Sequence, residues 1–344
     1  MNTNDIKKLI NSQQYDFLQT NPHLKDKIIL LTLGGSHAYG TNVETSDVDV
    51  RGCALNSKSD IIGLTNFEQV VNNETDTTIY SFNKLVSLLV DCNPNTIEIL
   101  GCKPEHYFIL TDIGQRFLDN KSIFLSQRAF ARFGGYAIQQ LYRLENALAR
   151  DKLPQSKKEE HIKSALERSL ATFKSTFTEF DLGSIELFTD KSSRDDMDTE
   201  VFCNIHVDKY PAREFTVLLN QLSSVIGNYD KLQHRNHKKD DAHLNKHAMH
   251  LIRLYLMCLD ILEKGEINTY RENDRDFLLE IRNGKFQNAD GTYMPEFFEL
   301  VADYEKRLKY AKENTFLPKH PDMKLVEEFV MDVNQKSINN GENL

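Results

Sequence analysis

Leu33-Gly34-Gly35-Ser36-His37-Ala38-Tyr39-Gly40-Thr41-Asn42-Val43-Glu44-Thr45-Ser46-Asp47-Val48-Asp49-Val50-Arg51-Gly52 is the stretch on which the fold turns. It follows an apolar run, Ile28 to Leu33, that reads as a buried strand. Two glycines and a serine then break the strand. Small residues there let backbone N–H groups come close to a bound anion, and a hydroxyl can donate to a phosphate oxygen. Ser36 to Tyr39 opens a short helix, whose N-terminus adds partial positive charge to the same place. Asp47 and Asp49 alternate with Val48 and Val50, which predicts a second strand, Asp47–Leu55, with both carboxylates on one face. Two like charges on one face repel unless a cation lies between them. The economical reading is a divalent metal site beside a phosphate cradle, against the bland one of a turn followed by two surface acids. Arg51, two residues after Asp49, shares the acids' face. It either contacts phosphate or pairs with one of the acids.

The order Gly-Ser, spacer, Asp-x-Asp resembles the signature of the DNA polymerase β-type nucleotidyltransferase superfamily. The longer form, Gly35-Ser36-His37-Ala38-Tyr39-Gly40 followed by Ser46-Asp47-Val48-Asp49-Val50-Arg51-Gly52, is narrower. It is similar to a family of bacterial and phage nucleotidyltransferases, one branch of which is associated with RNA ligases and RNA repair. The string from Tyr80 through Pro94 to Glu98-Ile99-Leu100 resembles the same family. So do Lys246-His247-Ala248-Met249-His250-Leu251-Ile252-Arg253, Tyr270-Arg271-Glu272-Asn273 and Phe277 to Gly284. The resemblance runs from about residue 28 to 330 and is weakest between 150 and 240.

The resemblance implies an α+β fold: a polymerase β-type catalytic domain, with a mixed sheet and flanking helices, plus a helical C-terminal domain. It also implies Mg²⁺ or Mn²⁺ as cofactor and a nucleoside triphosphate as substrate. A two-metal site needs a third carboxylate, which in the superfamily comes from a neighbouring strand. Asp76 is the candidate here, with Glu74, two residues away, as the alternative. The expected site is therefore Asp47, Asp49 and Asp76 on the metal, with Gly35, Ser36, Arg51 and Lys246 on the phosphates. Glu98 reads as structural.

The chain has 344 residues, enough for two domains. Its 40% hydrophobic and 27% charged content fits a globular protein. A net charge of −9 argues against a surface that grips nucleic acid everywhere, while leaving room for a local basic patch. The polar N-terminus shows no signal peptide, and no run approaches the ~20 apolar residues that span a bilayer. Five scattered cysteines without a CxxC pair read as reduced thiols, so a cytoplasmic location is expected.

Along the chain, a helix over 4–19 precedes the first strand. Phe67–Val71 and Glu74–Tyr80 read as strands. Ser81 caps an amphipathic helix through Val90, and Pro94 starts another. From about Thr111 helical periodicity takes over, near 112–121, 123–149, 156–180, 212–226, 244–264, 273–283 and 293–314. The expected domains are thus 1–110 and 111–344. Gly134-Gly135 suggests close packing or a kink. The polar stretch 181–208 is the candidate mobile loop or insertion. A basic stretch, Lys231 to Lys239, leads into a helix where His243, His247 and His250 share a face, as do Lys246 and Arg253. That face reads as looking towards triphosphate or RNA phosphate, as a zinc site, or as a solvated surface. The function expected is transfer of a nucleoside monophosphate from an NTP to an acceptor hydroxyl, an RNA end being favoured. The alternatives are a nucleotide- or RNA-binding protein without turnover, and a toxin- or antitoxin-type enzyme that modifies tRNA or protein.

Overall fold

A computed structural model of the chain describes residues 1–152, 154–177, 181–195, 197–234 and 241–340. Two compact units are distinguished: 1–140 with 248–285 and 295–344, and 141–247 with 286–294. The expected boundary at 110/111 thus lies thirty residues early. The texture change near Thr111 marks where the strands of the five-stranded sheet stop, whereas helices beyond it, including 275–282 and 323–340, still belong to the first unit.

The first unit is built on a five-stranded mixed sheet of order β3-β4-β2-β1-β5. The strands are β1 (Ile28–Leu33), β2 (Val50–Ala54), β3 (Gln69–Asn72), β4 (Thr77–Ser81) and β5 (Tyr107–Leu110). All six residues of β1 are buried, as an apolar run interrupted only by Thr32 requires of a strand covered on both faces. It is antiparallel to β2 and β5, and β2 runs parallel to β4. Thr3–Ile10 carries a capping box between Asn2 and Asp5 and buries Ile6 and Ile10 against the sheet core. Ser81 caps Phe82–Val90 by accepting from the Lys84 N–H at 3.2 Å, as expected. Phe82, Phe117, Phe124 and Phe329 form an aromatic cluster with edge-on, tilted and stacked contacts.

Two strands begin later than their sequences suggest. β2 starts at Val50, so Asp47 and Asp49 precede the strand. β4 starts at Thr77, because residues 73–76 are a turn. The Asn72 side chain makes that turn, accepting from the Glu74 and Thr75 N–H groups at 3.0 and 3.2 Å.

The second unit pairs helices Gln155–Thr176 and Ala212–His234 with an antiparallel hairpin, β6 (Ser184–Lys191) and β7 (Thr199–His206). The stretch 181–208, read as a mobile loop, is therefore mostly sheet. Its alternation of Ile185 and Leu187 with polar residues packs against Leu170, Phe173, Leu182 and Leu218. Gln155 ties it to the helix by bonding both the N–H and the C=O of Thr199. The glycines at 134 and 135 lie inside the Arg128–Lys152 helix, and a Cβ at either would meet nothing within 4 Å among the described residues. Their expected close packing is thus not formed. No described helix is long and apolar enough to cross a membrane.

Candidate nucleotidyl-transfer site

Gly34 is the N-cap of the short helix Gly35–Tyr39, which leaves the end of β1. The Gly34 N–H donates to the Asp49 carbonyl at 2.9 Å, extending the β1–β2 ladder by one rung. This fixes Asp49 beside the glycine turn. Gly35 has φ +54, and a Cβ there would come within 1.9 Å of Asp49 Oδ2. Glycine is thus required twice, by the left-handed backbone and by the carboxylate lying against it. Ser36 is half-exposed at the start of the helix, where first-turn N–H groups lack intrahelical acceptors.

The parallel register of β2 and β4, Val50 opposite Thr77, brings Asp76 alongside Asp49. Asp76 has φ +42, a left-handed conformation that Asp tolerates better than most residues. Its carbonyl accepts from Val50 N–H at 3.1 Å and from Arg51 Nη1 at 2.6 Å. Arg51 Nη2 lies 3.3 Å from Asp49 Oδ1 and 3.2 Å from Asp76 Oδ1. One guanidinium nitrogen therefore bridges two carboxylates. Of the two roles open to Arg51, the structure shows the ion pair. Asp47 is exposed on the segment that leads into β2. Glu74 is exposed at the outer end of the 73–76 turn, with its N–H held by Asn72.

Among the described residues no three His, Cys, Asp or Glu side chains converge as a metal-binding group. The physical reason is visible: the guanidinium fills the point where Asp49 and Asp76 meet. The donor chemistry there fits a cation, since two acids converge on a positive charge, and Gly35 leaves room for a carboxylate. Asp49 and Asp76 would hold a divalent ion at that point; Asp47 lies two residues before Asp49 in the chain.

Helix 241–259 does not present the expected basic face. Arg253 is buried, with its guanidinium 3.4 Å from the Tyr39 ring centroid and 3.8 Å from Glu98. Tyr39 donates its hydroxyl to the Glu98 carboxylate. Burial pushes the Glu98 carboxyl up to about 7, against the opposing pull of Arg253. Glu98 is thus a buried partner of Tyr39 and Arg253. His250 bonds Arg253 and packs edge-on to Tyr136. Lys246 and His243 are exposed in the second unit. Of the basic run 231–239, residues 235–239 lie outside the described residues.

Sequence reading missed the clamp on the other end of the Gly35–Tyr39 helix. The Arg271 N–H donates to the Tyr39 carbonyl at 3.1 Å, Arg275 Nε to the Gly40 carbonyl at 2.7 Å, and Arg282 Nη1 to the Thr41 carbonyl at 2.6 Å. The segment 270–282 thus satisfies the carbonyls where that helix ends. The signal was the recurrence of family-like motifs at both places, although their contact has no local sequence signature.

Residues 5–166 match the model of a family described as the RNA repair pathway DNA polymerase beta family. The match spans the glycine turn, all three candidate acids and Glu98, and agrees with the resemblance read from the motifs. No curated protein and no solved structure matches the chain.

Proposed function

We propose that the chain is a metal-dependent nucleotidyltransferase that moves a nucleoside monophosphate from an NTP to the hydroxyl of an RNA end. The observation that carries this reading is the meeting of Asp49 and Asp76 on one Arg51 nitrogen, beside the Gly34–Ser36 turn. The family match, with RNA repair in its description, supports the acceptor class.

In this reading Gly35 and Ser36 hold the β- and γ-phosphates through first-turn N–H groups and the hydroxyl. Asp47, Asp49 and Asp76 hold divalent metal, which when bound offsets the charge that develops on the entering and leaving oxygens. The acceptor oxygen forms a bond to the α-phosphorus while the bond to the bridging oxygen of pyrophosphate breaks. Asp76, with its side chain 59% exposed, is open to an incoming hydroxyl and takes its proton. Arg51, released from one carboxylate, turns its charge to phosphate.

Incubation of the pure protein with each labelled NTP, Mg²⁺ and RNA oligomers of defined ends tests this. Label should enter RNA with release of pyrophosphate, and Asp49→Asn should stop it. The bridging position of Arg51 also suits a nucleotide-binding protein without turnover. Tight NTP binding with no label in any RNA would favour that reading.

A further inference from the structure

Asp76 stands between two buried threonines. Thr75 is 5% and Thr77 1% exposed, whereas the Asp76 side chain is 59% exposed. The chain thus turns both threonines into the core and the acid outwards. At 75 and 77 valine would fill the same space without a polar atom, yet two hydroxyls are buried there, and each needs a partner. They partner each other, with Thr75 Oγ1 and Thr77 Oγ1 2.8 Å apart. The Thr77 hydroxyl also donates to the Thr75 carbonyl at 3.2 Å. The Tyr15 hydroxyl reaches the Thr77 side chain from the core that holds Val50 and Ile79. A chain of hydroxyls therefore runs from the Gln13–Tyr15 turn to the residues on either side of Asp76.

These bonds act on the backbone of the acid. The φ of +42 at Asp76 is a left-handed conformation, which persists in a residue with a Cβ only where the surroundings fix it. Asn72 fixes the residues before it, by accepting from the Glu74 and Thr75 N–H groups. Both threonine bonds span Asp76 itself, from residue 75 to residue 77, so a rotation about its φ or ψ breaks them. Its carbonyl is held in turn by the Val50 N–H and Arg51 Nη1. With the backbone clamped on these sides, the carboxylate stays where its Oδ1 shares Arg51 Nη2 with Asp49 Oδ1.

We infer that Thr75, Thr77 and Tyr15 are positioning residues of the transfer site, their hydroxyls locking the Asp76 backbone so that its carboxylate meets Asp49. What that carboxylate then does rests on the nucleotidyltransferase reading. The test is a double-mutant cycle on the full chain. It is read by Mn²⁺ affinity, from electron paramagnetic titration with a non-hydrolysable NTP analogue present, and by steady-state transfer. Thr77→Val should lower Mn²⁺ affinity and kcat by about fivefold or more, as loss of one buried hydrogen bond does. KM for the NTP should not change, because the triphosphate lies on the glycine turn. Thr77→Ser keeps the hydroxyl and should restore both quantities. In an Asp76→Asn background, Thr77→Val should lower Mn²⁺ affinity no further, whereas a hydroxyl serving only the core would cost the same in both backgrounds. The triple variant Tyr15→Phe/Thr75→Val/Thr77→Val removes the three hydroxyls together and leaves none of them buried without a partner. Its melting temperature should stay near that of the wild type, while Mn²⁺ affinity and kcat fall at least as far as in Thr77→Val. Wild-type affinity and kcat in the folded triple variant, or equal losses from Thr77→Val with and without the Asp76 carboxylate, would overturn the positioning role and leave the transfer reading standing. A wild-type chain that neither binds Mn²⁺ nor transfers label would overturn the reading, and the positioning role with it.

Discussion

Arg51 sits where the proposed chemistry needs a different cation. Its Nη2 contacts Asp49 and Asp76, and its Nη1 contacts the carbonyls of Val50 and Asp76. A guanidinium and a divalent ion cannot occupy one point, so the two compete. Arg51→Gln should therefore raise affinity for Mn²⁺ in the absence of nucleotide, while lowering transfer. Electron paramagnetic titration of free Mn²⁺ measures the first effect, and unchanged affinity would show that the ion binds elsewhere. Asp49→Asn should reduce transfer by at least about a hundredfold, as loss of a group that stabilises transition-state charge does. The fold should persist, because Arg51 keeps Asp76. Near-wild-type turnover by the folded variant would remove Asp49 from the site. Ser36→Ala should weaken triphosphate binding by about 1–3 kcal/mol, the worth of a hydrogen bond to a charged group, and leave nucleoside binding unchanged. Equal losses for both ligands would end its phosphate role.

The short helix Gly35–Tyr39 is held at both ends, by Asp49 against Gly35 and by Arg271, Arg275 and Arg282 on the closing carbonyls. Gly35→Ala would place a methyl on Asp49 Oδ2 and strain a positive φ, costing about 1–3 kcal/mol of stability. Transfer should fall further than stability does, since the acid is pushed from Asp76. Activity per folded molecule, set against the melting temperature, separates the two effects. Beneath the helix, Tyr39, Glu98 and Arg253 form a buried polar contact. The folded Glu98 carboxyl is raised to about 7, above its unfolded value, so the folded state binds the proton more tightly. Stability from this group is present at acid pH and is lost as pH rises from the ordinary carboxylate range through about 7. Glu98→Gln should flatten that pH dependence of the melting temperature. A variant whose curve parallels wild type would show that Glu98 does not titrate there. How far these elements were legible follows from locality. β1 and the Ser81 cap were readable because an apolar run and a capping hydroxyl act on their own neighbours. The Asp76 turn was not, because Asn72 bonds two backbone N–H groups within a stretch rich in β-formers. The pairing of Asp49 with Asp76 depends on the parallel β2–β4 register, which neither segment encodes alone.

At the scale of the whole chain, the first unit is assembled from three separated segments, with 141–247 between two of them. A boundary drawn where strand patterning ends therefore misassigns helices that complete the first core. Residues such as Cys258, whose thiol reaches the Ala129 carbonyl, show this dependence on distant sequence. The same distance hid the burial of Arg253. On a helix wheel it joins Lys246, whereas in the fold it pairs with Glu98 and Tyr39. On a chain of net charge −9, cations for an acceptor have to be gathered locally. An RNA acceptor should accordingly bind through a small number of phosphate contacts. For single strands the slope of log K against log salt is about −0.7 per neutralised phosphate, so a site using three or four cations gives about −2 to −3. If Lys246 is one of them, Lys246→Ala should reduce that slope by about 0.7 and weaken all RNA sequences alike. Its melting temperature should not change, because the side chain is exposed. Fluorescence anisotropy with a labelled oligoribonucleotide across a salt series measures both quantities. A slope near zero in the wild type would exclude a phosphate-bound RNA acceptor, leaving a protein or small-molecule hydroxyl. An unchanged slope in the variant would take Lys246 out of the contact and leave acceptor binding to cations of the first unit.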